Sequence, residues 1–363
     1  MHHILLNPGS TNVSDNIKSS LITENLCYRY GEFFLVLKRI CRNLVEILDG
    51  NEMYSCIPFV ASGTGANEAI LSSLQEKVLI IDNGKYSQRI VNIAERLSFH
   101  FSVLSFDELD LIDTNQIERV LKNDPEIRSI FVVHHETTTS LLAPLHDIGL
   151  LTQKYQKLFL VDAISSAGGH SLSLRDSNIA FCSVSANKCF GGLPGVSFVL
   201  AKTEEIKKLK GKSKSYYFDL YTQWEYSLNG RTPFTAAIQT FFAADKAIQI
   251  VLQEGVNARA QRYKSLLNHL KNGLKQIGLK FVMLPEKHTS NILTLMYLPS
   301  EIKYKDLHKD MFKRGYTIYT AKDSLNKGRF CLSIIGQTTD DDINKFLWNF
   351  EKSLKSLGYK VQR

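Results

Sequence analysis

The sequence lacks the features that mark disulfide-stabilised secreted domains, zinc modules and membrane proteins. Its six cysteines form no C-x-x-C pair and no Cys/His cluster with the spacing of zinc ligands. No apolar run approaches the length that spans a bilayer. The first nine residues are broken by Asn-Pro-Gly, which is not typical of a signal peptide. We therefore expect free thiols, no metal site and a cytoplasmic protein.

The sequence also lacks internal repeats, low-complexity segments and the basic, aromatic-interleaved stripe of nucleic-acid-binding proteins. Its formal charge of +8 comes from basic residues scattered over amphipathic stretches such as 204–214. A solvated, lysine-rich surface explains this charge most simply, and a mild preference for anionic substrates is the alternative. We expect neither nucleic acid nor a membrane as a partner.

The middle of the chain alternates short apolar runs with helical patterns. The 363 residues are enough for one large α/β domain and a smaller second one. Apolar runs separated by helices predict a mostly parallel sheet that is covered on both faces. The predicted strands are 78–81, 130–133, 158–161, 181–184 and 196–200, and the predicted helices are 66–74, 88–97 and 145–155.

The pattern changes near residue 236. Two long helical stretches come first, and a second unit of strands and helices follows them: 236–253, 256–277, 292–297, 304–314, 329–335 and 340–357. We interpret residues 16–250 as the large domain. Residues 251–363 then form a smaller α+β C-terminal domain, with residues 1–15 packing alongside it.

Four segments place polar residues at a strand end or a helix start, where open parallel sheets bind their ligands. The first contains Ser62, Gly63 and Thr64 and opens a helix. Small residues allow close approach of a ligand, and the helix N-terminus favours a phosphate. An ordinary helix N-cap is the alternative explanation.

The second and third segments contain Asp162 and Lys188. Asp162 directly follows four apolar residues, so its carboxylate needs a cationic partner, unless it simply caps the next turn. Lys188 ends a strand before a glycine-rich loop, where a lowered pKa would make it nucleophilic; a surface lysine is the alternative. The separation of 188 − 162 = 26 residues spans one crossover, so both side chains can reach one pocket.

The fourth segment, His134-His135-Glu136 followed by three threonines, comes after a predicted buried strand. Its threonine hydroxyls could bond a ring hydroxyl or a substrate. Adjacent residues of a strand point to opposite faces, so His134 and His135 are not expected to share a metal ion.

Seven stretches, spread over nearly the whole length, match the motifs of one enzyme family: Leu6-Asn7-Pro8-Gly9, Ser62-Gly63-Thr64, Asn83-Gly84-Lys85-Tyr86, His135-Glu136-Thr137-Thr138-Thr139, Val161-Asp162-Ala163, Ser185-Ala186-Asn187-Lys188-Cys189 and Phe218-Asp219-Leu220-Tyr221-Thr222-Gln223-Trp224. They resemble the class V aminotransferases, which use pyridoxal phosphate (PLP). Within that class, the last two stretches are most similar to the 2-aminoethylphosphonate–pyruvate branch.

The resemblance implies the aspartate-aminotransferase-like fold, which is PLP-dependent transferase fold type I. Lys188 would hold the cofactor as an imine and shuttle a proton, and Asp162 would pair with the pyridinium nitrogen. The remaining cofactor contacts that it implies are Ser62, Gly63, Thr64, Tyr86, Thr137, Ser185 and Thr235. Tyr86 would stack on the ring and Thr137 would bond near its hydroxyl. Thr235 would reach the phosphate from the partner subunit, which implies a homodimer with shared sites.

The resemblance implies that 2-aminoethylphosphonate donates an amino group to pyruvate, giving phosphonoacetaldehyde and alanine. One departure from the family concerns its carboxylate-binding arginine, whose place is taken by Cys331. Arg329 lies two residues earlier, on the same strand face, and could substitute for it.

Alternatively the substrate carries no carboxylate. The other interpretations are a PLP lyase or a transaminase for a different amino phosphonate or phosphate, and a non-enzymatic scaffold of the same fold. Cys331 also suggests a cysteine desulfurase, but a thiol within an apolar strand is more typical of a buried structural cysteine.

Overall fold

A computed structural model describes residues 3–22 and 26–361 of the chain. Residues 1–2 and 362–363, which the prediction assigns to the small domain, and residues 23–25 of the predicted large domain lie outside these ranges. Within them, no helix combines the length and the apolar character needed to cross a membrane.

The strands of the described chain fall into one large sheet and three small two-stranded pairs. In chain order they are β1 (Ile4–Leu6), β2 (Tyr54–Phe59), β3 (Val78–Asp82), β4 (Phe101–Ser105), β5 (Ser129–Val133), β6 (His135–Glu136), β7 (Leu141–Leu142), β8 (Leu158–Asp162), β9 (Phe181–Ser185), β10 (Ser197–Lys202), β11 (Leu293–Tyr297), β12 (Tyr316–Ile318) and β13 (Arg329–Ser333).

The helices connect these strands and cover the large sheet. In chain order they are α1 (Asp15–Ser19), α2 (Glu32–Ile47), α3 (Gly63–Ser73), α4 (Lys85–Arg96), α5 (Thr114–Asn123), α6 (Leu145–Lys154), α7 (Thr203–Lys207), α8 (Leu220–Ser227), α9 (Ile238–Glu254), α10 (Val256–Gln276), α11 (Tyr304–Lys313), α12 (Lys322–Asn326) and α13 (Asp340–Ser356), with a 3₁₀ turn at Glu286–His288.

The large sheet has the strand order β2-β10-β9-β8-β5-β3-β4. The five strands from β9 to β4 run parallel, which confirms the prediction of a mostly parallel sheet. β10 runs antiparallel to both of its neighbours. It follows β9 through a glycine-rich loop instead of a crossover helix, and only an antiparallel strand can return over such a short connection.

Alternate residues of the central strands enter two separate apolar cores. In β3, Leu79 and Ile81 belong to the core beneath α2, α6 and α9, whereas Val78 and Ile80 belong to the core beneath α3, α4 and α8. Side chains of a strand alternate between the faces of a sheet, so a strand covered on both sides must be apolar throughout. This explains the unbroken apolar runs of the sequence.

The C-terminal part of the chain has a core of its own, formed by α10, α11, α13 and the strands β11 to β13. β1 joins this part by pairing parallel with β12, and a bridge between Asn12 and Gly336 continues the contact. The predicted boundary at residue 250 lies inside α9. The division of the chain into a large and a small domain stays a prediction.

Candidate active site

A cavity of about 170 Å³ opens at the carboxyl ends of β5, β8 and β9, facing the N-termini of α3 and α4. Ligands of open parallel sheets bind at this edge because helix N-termini and strand ends converge there. Seven residues selected from the sequence line it: Ser62, Gly63, Thr64, Tyr86, Asp162, Ser185 and Lys188. The fold therefore gathers residues that are up to 126 positions apart (188 − 62) around one space.

Asp162 is the last residue of β8 and is buried at the floor of this cavity. Its Oδ2 accepts a hydrogen bond of 2.6 Å from Asn67 Nδ2, and its Oδ1 accepts one of 2.9 Å from the Ile164 N–H. Burial raises the pKa of Asp162, and both hydrogen bonds act against that rise. Among the described residues, no lysine or arginine forms an ion pair with it. A buried carboxylate in this state is suited to a cationic ligand.

Asn67 was not predicted from the sequence, although it fixes the orientation of Asp162. It lies on the second turn of α3, and its Oδ1 accepts a hydrogen bond from the hydroxyl of Ser183 on β9. Ser183 thus fixes the Asn67 amide, and Asn67 in turn fixes the Asp162 carboxylate. Only the spacing of three residues from Thr64, which places both on one helix face, hinted at this role.

Lys188 lies three residues beyond β9, in the glycine-rich loop, and its Nζ donates a hydrogen bond to the Pro8 carbonyl. Burial lowers the pKa of this ammonium group. Lys188 therefore loses its proton to give the neutral, nucleophilic amine more readily than a surface lysine does. The sequence did not assign Pro8 to the site, although it belongs to the Leu6-Asn7-Pro8-Gly9 motif. Its carbonyl is the group that orients the lysine.

The N-terminus of α3 forms the phosphate-sized end of the cavity. Ser62 is the N-cap residue, yet its side chain makes no capping hydrogen bond, so the hydroxyl is available to a ligand. A Cβ on Gly63 would lie 2.5 Å from Ile164 Cδ1, so any larger residue would require the Ile164 side chain to move. Thr64 Oγ1 accepts a hydrogen bond of 3.2 Å from Arg89 Nη1. Amide groups, hydroxyls and a guanidinium therefore converge on a site suited to an anion.

Tyr86 lies in the first turn of α4, and Arg89 lies three residues later on the same face. The Tyr86 N–H donates a hydrogen bond of 2.8 Å to Glu136 Oε2, and a Cβ on Gly84 would approach Glu136 Cγ to 2.5 Å. The Arg89 guanidinium lies over the Tyr86 ring, 4.9 Å from its centroid. The sequence hypothesis omitted Arg89, which also lines the cavity.

Three further residues selected from the sequence lie outside the cavity lining. Thr137 is buried and directly follows Glu136 of β6. Thr235 is exposed. Arg329 is buried, and its Nη2 lies 2.8 Å from Glu108 Oε2. The cofactor and substrate roles of these residues stay predictions.

Cys331 and the histidine pair can now be placed. Cys331 Sγ lies 3.6 Å from the Tyr319 carbonyl oxygen, within the C-terminal core. His134 Nδ1 contacts the Ser166 hydroxyl at 2.9 Å, whereas His135 lines the cavity, so the two rings take different directions. In the described ranges, no group of three or more His, Cys, Asp or Glu side chains is arranged to hold a metal ion.

Comparisons with known proteins agree with this geometry. The family model "Aminotransferase class-V" matches residues 34–318. A Klebsiella pneumoniae protein named 2-aminoethylphosphonate–pyruvate transaminase is 33% identical over 354 residues, covering 95% of this chain and 96% of that protein. A Bacillus cereus protein of the same name is 33% identical over 359 residues, covering 97% and 98%.

Solved structures of aminotransferases show the same fold. Ureidoglycine–glyoxylate aminotransferase from Bacillus subtilis superposes with a TM-score of 0.92 at 21% identity, covering 100% of this chain and 95% of that one. Pyridoxamine–pyruvate aminotransferase from Mesorhizobium loti gives a TM-score of 0.90 at 20% identity, covering 99% and 94%. The predicted fold class is confirmed by these superpositions.

Proposed function

The chain belongs to the class V aminotransferases and is a PLP-dependent transaminase, and from that premise we propose that it transfers the amino group of 2-aminoethylphosphonate to pyruvate. The products would be phosphonoacetaldehyde and alanine. The curated relatives that carry this activity in their names align over 95% or more of the chain. The observation that carries the chemistry is one cavity that holds Lys188 together with Asp162, a buried carboxylate that forms no ion pair among the described residues.

The residues around the cavity fit PLP in charge and in chemistry. Asp162, which is buried and forms no ion pair within the described chain, would hold the pyridinium N–H. The N-terminus of α3 with Ser62, Gly63 and Thr64 would hold the phosphate, and the Tyr86 ring would cover one face of the cofactor. Bound PLP supplies an electron sink that stabilises negative charge on the substrate carbon next to nitrogen.

Lys188 would attach the cofactor covalently through Nζ. Released by the amino donor, the same amine would take a proton from the donor carbon and later return one to the acceptor carbon. Burial lowers the pKa of Lys188, which supports this work as a base near neutral pH. The Pro8 carbonyl would hold the free amine within reach by accepting its hydrogen bond.

A second candidate is a transaminase for a different amino phosphonate or phosphate. Two observations favour it: Cys331 stands where the family has its carboxylate-binding arginine, and the neighbouring Arg329 already has Glu108 as a partner. Carboxylates are best held by a bidentate arginine. An acceptor without a carboxylate would not need that group.

We also propose a homodimer with shared active sites. Tyr216 is 88% exposed and lies against Phe234, which in turn stacks on Tyr217 at 4.9 Å between ring centroids. Thr235 follows this exposed aromatic cluster directly. Aromatic groups of this kind are enriched in protein interfaces. Analytical ultracentrifugation should show a dimer, and a fully active monomer would refute the shared site.

The cofactor assignment is tested by trapping and mapping. The purified protein should be yellow, and borohydride reduction followed by peptide mapping should place the modification on Lys188. Lys188→Ala should lose it. Lys202→Ala is the matched control, because burial lowers the pKa of that lysine too but it lies outside the cavity. Modification of another lysine would overturn the assignment.

The substrate assignment is tested with a panel of amino donors. Each donor is added to the PLP form without an acceptor, and loss of the bound cofactor's visible absorbance reports the first half-reaction. We expect 2-aminoethylphosphonate to react fastest. A faster reaction with another amino phosphonate or phosphate would support the second candidate instead.

A further inference from the structure

His135 is a buried histidine that the reaction described so far does not use. Its side chain is 1% exposed and lines the cavity that holds Asp162 and Lys188. Its Nδ1 lies 3.3 Å from the Ser165 carbonyl oxygen. Its Nε2 is buried and has no hydrogen-bond partner among the described residues. A buried polar atom without a hydrogen-bond partner lowers the stability of the folded protein, so we expect a bound ligand to supply the partner of this nitrogen.

The neighbours of His135 fix which nitrogen carries the proton. A carbonyl oxygen can only accept, so Nδ1 bears the hydrogen that it donates to Ser165. Burial lowers the pKa of His135 to about 4, and the positive charge of Lys188 acts in the same direction. The ring is therefore neutral at pH 7, and Nε2 presents a lone pair to the cavity.

The cavity is electrically asymmetric, which restricts what this lone pair can meet. Its α3 end gathers amide groups, the Thr64 hydroxyl and the Arg89 guanidinium, all suited to an anionic group. An unprotonated Nε2 repels phosphate or phosphonate oxygens because both are acceptors. It attracts an O–H or an N–H group.

We propose that His135 Nε2 accepts a hydrogen bond from a donor group of the bound ligand and so sets the ligand's position and protonation. The donor is either the ring hydroxyl of the cofactor or the amino group of the substrate. The proposal rests on the proposed transaminase function and adds a positioning residue to it. His135 is assigned no proton transfer: its Nδ1 hydrogen stays on the ring and is donated to the Ser165 carbonyl oxygen.

Two variants test the hydrogen bond. His135→Phe keeps a flat ring and removes the acceptor, whereas His135→Gln restores an acceptor on a side chain of similar reach. PLP is titrated into each apoenzyme without substrate, and the pH dependence of the bound cofactor's absorbance is recorded. The KM for the amino donor is then measured for each variant. His134→Phe is the control for disturbance of the histidine pair, because His134 does not line the cavity.

The measurements of PLP binding and of the KM distinguish the two possible donor groups. If the ring hydroxyl is the donor, His135→Phe weakens PLP binding by about 3- to 10-fold and shifts the absorbance titration, and His135→Gln restores both. If the substrate amine is the donor, PLP binding is unchanged and the KM for that amine rises by a similar factor. Wild-type values for PLP binding, absorbance and KM in His135→Phe would refute the proposal.

A measurement on the unmodified protein keeps the test independent of folding. With ¹⁵N-labelled histidine, Nε2 of His135 should give an unprotonated imidazole signal that moves when PLP or the amino donor binds, while Nδ1 stays protonated. A protonated Nε2, or no change with either ligand, would overturn the proposal. Wild-type protein that fails to bind PLP would instead overturn the proposed function.

Discussion

Two buried aspartates with equal exposure differ in what neutralises them. Asp162 and Asp245 are both 5% exposed. Asp245 pairs with Arg39 at 2.6 Å, so its partner belongs to the protein. Asp162 accepts hydrogen bonds only from neutral groups among the described residues. Removing its negative charge should therefore affect ligand chemistry, whereas removing the charge of Asp245 should affect the fold.

We expect Asp162→Asn to lower kcat by roughly a hundredfold or more, the range for a positioned group that controls a proton. A neutral amide cannot hold a pyridinium proton, yet it can keep the hydrogen bond to Ile164. The melting temperature should change little. Steady-state kinetics and calorimetry check this, with Asp245→Asn as the control that should lose stability and keep activity. Activity of Asp162→Asn near the wild-type level would show that the carboxylate is a structural cap.

Arg329 could bind the substrate carboxylate or serve only as the ion-pair partner of Glu108, and the variant Arg329→Ala distinguishes these two roles. If it carries the substrate carboxylate, Arg329→Ala should weaken pyruvate binding by about 1.5–3 kcal/mol, seen as a higher KM for pyruvate alone. Because Arg329 already forms an ion pair with Glu108, we expect that Arg329→Ala lowers the stability of the protein and leaves the KM for pyruvate unchanged. Glu108→Gln is the companion variant: freeing Arg329 should lower the KM for pyruvate only if Arg329 binds the acceptor.

The site could be predicted from the sequence where chemistry and position coincide along the chain. Asp162 and Lys188 follow apolar strands and were predicted to share a pocket, and both line it. Asn67 and Pro8 were missed because their contacts cross between distant segments: one reaches β8 from α3, and the other reaches Lys188 across 180 positions. Groups that support a ligand-binding residue from a distant segment leave little or no local pattern in the sequence.

At the scale of elements, two helix glycines show that the effect of an added side chain depends on whether the neighbouring group is backbone or a side chain. A Cβ on Gly149 of α6 would overlap the Ser177 carbonyl oxygen, and a Cβ on Gly273 of α10 would overlap Leu347 Cδ1. Backbone cannot move without disturbing the chain, whereas the end of a leucine can rotate. The two sites should therefore respond differently to the same added methyl group.

We expect Gly149→Ala to lower the free energy of unfolding by about 1–3 kcal/mol, the cost of overpacking. Gly273→Ala should cost less, because alanine favours a helix interior by up to about 1 kcal/mol over glycine and offsets the displacement of Leu347. Urea unfolding of both variants checks the ranking. Equal losses would mean that Leu347 is as rigid as the backbone near Ser177.

The elements that the sequence predicts are those whose burial follows a regular pattern: α13 buries one face, and β8 is buried along almost its whole length. The helix predicted at 340–357 is α13, Asp340–Ser356, and the strand predicted at 158–161 is β8, Leu158–Asp162. β2 was not predicted, because Pro58 interrupts its apolar run. Proline is tolerated there since β2 is the edge of the sheet. The direction of β10 was equally hidden, because a strand's own residues do not reveal how its neighbours run.

At the scale of the whole molecule, three buried histidines make stability depend on pH. Burial lowers the pKa of His134 to about 3 and that of His135 to about 4, and it lowers the pKa of His170 well below its usual value. The unfolded chain binds protons at these positions near pH 6.5, and the folded chain does not. Stability should therefore be fully present above pH 6.5 and fall as the pH drops towards 4.

Urea unfolding between pH 7 and pH 4.5 measures this slope. In His134→Gln, which removes one proton-binding group and keeps a polar side chain beside Ser166, the slope should be smaller by up to about 1.4 kcal/mol for each pH unit. An unchanged slope would mean that His134 is protonated in the folded protein. Burial raises the pKa values of Asp162 and Glu136, so these two groups take up protons in the folded chain before the unfolded chain does. They act in the opposite direction, at pH values above the ordinary carboxyl range near 4.

The pairing of β1 with β12 has a consequence for the order in which the enzyme is made. It joins residues 316 − 4 = 312 positions apart, and contacts this distant form late because loop closure costs entropy. On the ribosome, Lys188 emerges more than a hundred residues before β12. The nascent chain therefore contains the reactive amine of Lys188 before β12 can pair with β1 and fix the position of Pro8. We expect the chain to become able to bind the cofactor only when its last part has been made.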